Sequence, residues 1–173
     1  VIGTMVKPTV AGMTFSLDNS QSFTFDFFDI WTDEPKINAD DLVSSSISAT
    51  LNFTDPFTGA TVNGITVGGK WMGGLSQWGE LTWNGPVTIT TGDRTFQITL
   101  SNVDEFNYGF GGLNPGMMCG ATVQATITQL TSEIPSGSGN SNRPVPEGGK
   151  TALFLGAALV VLRALARHKR SSR

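Results

Sequence analysis

The side chains able to do chemistry fall into two short stretches. The first, DFFDIWTDEPKINADD, holds Asp26, Asp29, Asp33, Glu34, Asp40 and Asp41 in a single run. A pair of such carboxylates could cleave a glycosidic bond, one as acid and the other as base or nucleophile. They could equally offer hard oxygens to Ca²⁺, or be solvated loop acids around an apolar strand. On a regular strand Asp26 and Asp29 point to opposite faces, because their spacing is odd. A calcium site would therefore draw on Asp33, Glu34, Asp40 and Asp41, with backbone carbonyls completing the oxygen shell. The spacing matches neither an EF-hand nor a nonapeptide calcium repeat. The second stretch, WMGGLSQWGELTW, holds Trp71, Trp78 and Trp83, and Trp31 sits beside the acids. Exposed indoles could stack on sugar rings. Glycines surround Trp71 and Trp78, which makes these two the candidates for a glycan platform. The alternative is packing in the core or at a sheet edge, and Trp83 in LTW alternates as a strand residue does.

Other chemistries lack their residues. The only histidine is His168, close to the C-terminus. Residues 1–167 therefore hold no Ser-His-Asp or Cys-His pair and no histidine metal ligand. Neither a phosphate-binding loop nor a dinucleotide fingerprint is present. GFGG and GGKWMGG are Gly-rich but lie among strand-like runs, so they read as loops or bulges. Cys119 is the only cysteine and makes no intramolecular disulfide. It is either a small half-buried side chain or one half of an intermolecular bridge. The expectation is a protein with no catalytic residues, no required cofactor, and Ca²⁺ as its one candidate ion.

The elements that must carry these residues are strands. Phe23, Phe25 and Phe27 alternate in FTFDF, and Val43, Ile47, Ala49, Leu51 and Phe53 share a face in VSSSISATLNF. Phe96, Ile98 and Leu100 do the same in TFQITL, as do Val123, Ala125 and Ile127 in TVQATITQ. Period two with Gly, Asn, Asp and Pro between the runs is the signature of half-buried antiparallel strands. Residues 1–132 are predicted to form an all-β domain of about seven to nine short strands, an antiparallel β-sandwich, Ig-like or jelly-roll. Charged residues make up 14% of the chain, against about 25% in an average domain, and Gly is abundant. That balance suits a secreted β-protein. Residues 133–146 are a polar Ser/Gly/Asn/Pro linker that cannot bury enough apolar area to offset its ordering entropy.

Beyond the linker the pattern changes. TALFLGAALVVLRALA is apolar on nearly every side and predicts a short hydrophobic helix over about 151–166. Its uncharged part runs from Thr151 to Leu162. A helix of that length covers roughly 18 Å of the ~30 Å hydrocarbon core, enough for a temporary anchor. Arg163, Arg167, Lys169, Arg170 and Arg173 flank it on what would be the cytoplasmic side. A packing helix of the domain is the alternative. Residues 1–147 carry five cations and all fourteen acids, a formal −9, whereas residues 148–173 carry +6. An acidic body argues against nucleic acid as a partner.

Val145, Pro146, Glu147, Gly148 and Gly149, then the apolar segment, then the arginines, resemble the C-terminal sorting signal of PEP-CTERM proteins, which exosortases process in Gram-negative bacteria. The usual second proline is absent, and the motif is closer to the Val-Pro-Asp-Gly-Gly variant with Glu for Asp. The resemblance covers residues 145–173, and the late strand ATVQATITQL running into a linker is similar to the β-domains that precede such signals. It implies export, transient holding in the inner membrane, cleavage near the motif by an exosortase-type enzyme, and transfer to the outer surface or extracellular matrix. The chain opens at Val1, so a secretory signal peptide, had one been present, would already be gone. The expected protein is a non-enzymatic surface or matrix protein, adhesive or exopolysaccharide-associated. A self-assembling subunit of a filament or sheath, a homo-oligomer, is the first alternative. A carbohydrate-active enzyme is the second.

Overall fold

The computed structural model describes residues 1–54, 57–92, 94–130 and the backbone of 151–154. In chain order the strands are β1 (Ile2–Val6), β2 (Thr14–Leu17), β3 (Ser22–Thr32), β4 (Ser45–Thr54), β5 (Phe57–Trp71), β6 (Ser76–Trp83), β7 (Val87–Thr91), β8 (Arg94–Leu100), β9 (Val103–Phe110), β10 (Ala121–Leu130) and β11 (Thr151–Phe154). The chain is all-β, as its alternation predicts. Three short 3-10 turns are the only helical pieces among the described residues.

The strands form two large antiparallel sheets. One runs β1-β3-β10-β8-β7 and the other β4-β5-β6-β9. Their inner faces share a single apolar core. Ile47, Ala49, Leu51 and Phe53 of β4, Phe96, Ile98 and Leu100 of β8, and Val123, Ala125 and Ile127 of β10 are all buried. Val43 is not: β4 starts at Ser45, and Val43 is exposed before it. Aromatic rings run through the core in a chain, Phe15–Phe23–Phe25–Phe27–Phe28–Trp83, with centroids 4.8 to 6.3 Å apart. Burying each Phe fully contributes roughly 1.5–3 kcal/mol.

β3 departs from strict alternation in a way that matters for its acids. Val123 pairs with Phe28, but the next residue, Gln124, pairs with Asp26, so Phe27 is an inserted bulge residue. Phe27 and Phe28 both turn inward and are fully buried. The extra residue shifts the phase, and Asp26 and Asp29 consequently lie on the same outer face. This corrects the opposite-face expectation, which assumes a regular strand.

Three tryptophans of the sheets face a glycine on the neighbouring strand: Trp31 opposite Gly3, Trp83 opposite Gly64, and Trp78 opposite Gly69. An added Cβ at any of these glycines would fall inside the facing indole. The missing side chain lets each ring lie against the ladder.

The tail differs from its expectation at its start. Thr151–Phe154 are extended and pair antiparallel with β2, Thr151 against Leu17 and Phe154 against Thr14. An unpaired edge offers this segment backbone partners at once, whereas the first turn of a helix leaves its N–H groups unbonded. The remainder of the predicted helix, 155–166, lies outside the described residues. No helix among the described residues is long and apolar enough to cross a membrane.

Candidate functional site

The acids of the first stretch do not converge. Asp33 is exposed in the loop after β3, and Glu34 pairs with the Val1 amine. Asp41 is engaged within its own loop: its carboxylate accepts from the Asn38 N–H at 2.7 Å and its carbonyl from the Gly68 N–H at 2.7 Å. The Asp40 carbonyl accepts from the Val43 N–H at 3.2 Å. Among the described residues no three His, Cys, Asp or Glu side chains stand together as a metal-holding group. This loop has a structural task. Ile37 is buried over Gly68, and its N–H donates to the buried Gln77 Oε1 at 2.6 Å, which fastens the loop to the end of β5 and β6.

Asp26 and Asp29 serve the outer face of the β1-β3-β10-β8-β7 sheet. Gln124 Nε2 donates to Asp26 at 3.0 Å. Asp29 takes Lys7 Nζ at 2.7 Å and the Thr122 hydroxyl at 2.7 Å. Burial raises its pKa, but the bonds from Lys7 and Thr122, with the Lys7 charge, outweigh that and hold the carboxyl below its ordinary value.

The tryptophans give a different picture. Trp78, Glu80 and Thr82 alternate outward from β6, opposite to the buried Leu81 and Trp83. The Trp78 indole lies over Gly69, and its Nε1–H donates to Glu80 Oε1 at 2.7 Å, which fixes the ring's rotation. On the other side of β6 runs β9, which carries two bulges. Gln77 pairs with Gly109, Gly79 with Phe106 and Leu81 with Val103, so β9 advances by three positions for every two of β6. The extra residues place Asn107–Tyr108 beside Trp78 and Asp104–Glu105 beside Glu80.

Each bulge re-aims side chains onto the outer face. Asn107 sits at φ 52°, a left-handed conformation that Asn tolerates. It is fully buried, accepts from the Thr32 N–H at 2.9 Å, and donates to the carbonyls of Asn114 and Gly116. That anchorage turns Tyr108 outward, where its ring lies near-parallel to Trp78, 28° apart with centroids 6.4 Å apart. Tyr108 Oη donates to Ser76 Oγ at 3.0 Å. Beyond them, Trp71 faces Ser76, which faces Phe110, so Trp71 and Phe110 extend the same surface at 62% and 80% exposure.

The result is an aromatic floor of Trp78 and Tyr108, flanked at the hairpin end by Trp71 and Phe110. At the other end Trp78, Glu80, Asp104 and Glu105 line an open cleft of about 600 Å³. Trp71 and Trp78, the two platform candidates, are thus brought to one face. Tyr108, Phe110, Glu80, Asp104 and Glu105 were not evident from the sequence. The sequence offers one local hint: Val103 and Phe106, both buried, are three positions apart in VDEFNYGF, which breaks strict alternation there.

The sorting motif Val145–Gly149 and the basic residues Arg163, Arg167, Lys169, Arg170 and Arg173 lie outside the described residues. Cys119 is exposed and free. The chain matches no family model, no curated protein and no solved structure.

Proposed function

We propose that the chain is a non-enzymatic protein of the cell surface or extracellular matrix that binds exopolysaccharide through the outer face of β5, β6 and β9. One observation carries the binding half: the Trp78 indole is laid flat over Gly69, locked by Glu80, and continued by Tyr108, with its neighbours Trp71 and Phe110 exposed. A contiguous apolar surface open to water marks an interaction site, and planar rings are the natural partners of the apolar faces of pyranoses. The two sheets make a β-sandwich in this account. The address half rests on the resemblance of residues 145–173 to a PEP-CTERM signal. An exosortase-type enzyme acts near Glu147, and the apolar segment adopts its helix in the inner membrane.

Affinity electrophoresis tests the binding. The chain should be retarded in gels containing matrix polysaccharide from the producing cells, and the Trp71→Ala/Trp78→Ala variant should not be. Equal mobility of the two with and without polymer would overturn it. Intact mass of the extracellular form tests the address, which predicts a C-terminus near Glu147. A mass that includes Arg173 would refute it.

A second account, a self-assembling subunit, is favoured by the pairing of Thr151–Phe154 with β2. Cleavage near Glu147 would remove that strand and leave the β2 edge open to a strand from another copy. Particle size of the cleaved form distinguishes the two.

A further inference from the structure

We propose that the polysaccharide taken by this face is one carrying free amino groups, a polymer of hexosamine at least partly without acetyl caps. The proposal rests on the reading of the face as a glycan platform and goes on to the charge of its ligand. The cleft that adjoins the aromatic floor is lined by Trp78 and by three carboxylates, Glu80, Asp104 and Glu105. No lysine or arginine lines it among the described residues. Asp104 and Glu105 are both exposed, because the bulge in β9 turns both outward where a regular strand would hide one. Glu80 uses Oε1 to hold the indole and has Oε2 left for a ligand.

Charge decides among the ligand classes. An acidic polysaccharide would meet like charge in the cleft and from a body of formal charge −9. A neutral one could stack on Trp78 and donate its hydroxyls to the carboxylates, but it brings no positive charge to balance the three of them. An aminated one satisfies both parts of the site. Its ring faces lie on Trp78 and Tyr108, its ammonium groups pair with the carboxylates, and a cation beside an indole face is itself attracted.

Calorimetric titration of the full chain with three oligosaccharides of equal length tests this: glucosamine oligomers, the same oligomers N-acetylated, and oligogalacturonate, at mildly acidic pH where the amines are protonated. Glucosamine oligomers should bind roughly tenfold more tightly than the acetylated ones, and oligogalacturonate should not bind. Raising the ionic strength from about 0.1 to about 1 M shortens the screening length from about 10 to about 3 Å and should erase the preference. The Glu80→Gln/Asp104→Asn/Glu105→Gln variant, its folding checked by thermal melting, should lose the preference as well. Equal affinity for aminated and acetylated oligomers would overturn the proposal while leaving the glycan reading standing. No binding to any of the three would overturn both. Polylysine binding as tight as that of the glucosamine oligomers would make the face a site for basic chains in general and would also refute the proposal.

Discussion

Replacing Gly69 by alanine adds a single methyl to the middle of the candidate face. That Cβ would sit 2.5 Å from Trp78 Nε1 and 2.7 Å from Cζ2, far inside van der Waals contact. Gly69 is held in the ladder opposite Trp78, so the backbone cannot retreat and the indole must swing away. The ring then gives up its bond to Glu80, about 1 kcal/mol, and its contact with Tyr108, about 0.5–1.5 kcal/mol. Alanine returns about 0.5–1 kcal/mol by restricting the unfolded chain. The net loss of stability is about 1 kcal/mol, small against the roughly 5–15 kcal/mol typical of a domain. Binding should suffer more. An aromatic stacking surface is worth about 1–3 kcal/mol where it has been measured for nucleobases, and a sugar platform of like size should lose roughly fivefold to a hundredfold in Kd. Calorimetric titration with the glucosamine oligomer and urea unfolding would give both numbers. Gly3→Ala is the control, because it displaces Trp31 by the same contact on the other sheet. Wild-type affinity in Gly69→Ala, or equal losses in Gly3→Ala and Gly69→Ala, would refute the reasoning.

Three further outcomes follow from the same geometry. Phe27→Ala, at the fully buried bulge of β3, should lower the urea-derived stability by about 3–5 kcal/mol, whereas Phe110→Ala, exposed on β9, should change it by less than about 0.5 kcal/mol. Asp29 has a folded pKa below its ordinary value, so its stabilising effect is complete above that value and fades as pH falls through the folded one. Stability of the wild type should therefore drop more steeply below about pH 4 than that of Asp29→Asn, and parallel curves would count against the Lys7–Asp29–Thr122 group. Millimolar Ca²⁺ should leave the melting temperature unchanged, because Asp33, Glu34, Asp40 and Asp41 are not gathered; a clear rise would mean that they close around the ion.

Alternation alone made the inner faces of β4, β8 and β10 legible, because each strand buries one side against a common core and repeats at period two. Bulges were not legible as such. One inserted residue in β3 turned Asp29 to the side of Asp26, and two in β9 brought Tyr108 and the Asp104–Glu105 pair onto the face that holds Trp78. Such a shift depends on the partner strand, and Tyr108 is far along the chain from the Trp78 it stacks beside. Trp71 and Trp78 could be named from their glycines, since a ring needs room. That Gly69 lies beneath Trp78 is a matter of register, which no local pattern records. The acidic run left solvated loop acids and a calcium site open because nearness in sequence is not convergence: Asp41 satisfies its own loop and Glu34 pairs with Val1. At Thr151–Phe154 apolar composition pointed to a helix, but the open edge of β2 gave these residues strand partners.

The central claim is that sugars settle on the outer aromatic face, and the four tryptophans report on it one by one. Each indole N–H gives its own signal in a ¹⁵N–¹H spectrum once assigned by single Trp→Phe replacements. Titration with the glucosamine oligomer should move the Trp71 and Trp78 signals together. Trp83, buried and donating to the Ser101 carbonyl at 3.2 Å, should stay in place, as should Trp31 over Gly3 on the other sheet. Saturable binding that shifts Trp31, or that leaves Trp71 and Trp78 unmoved, would contradict the account.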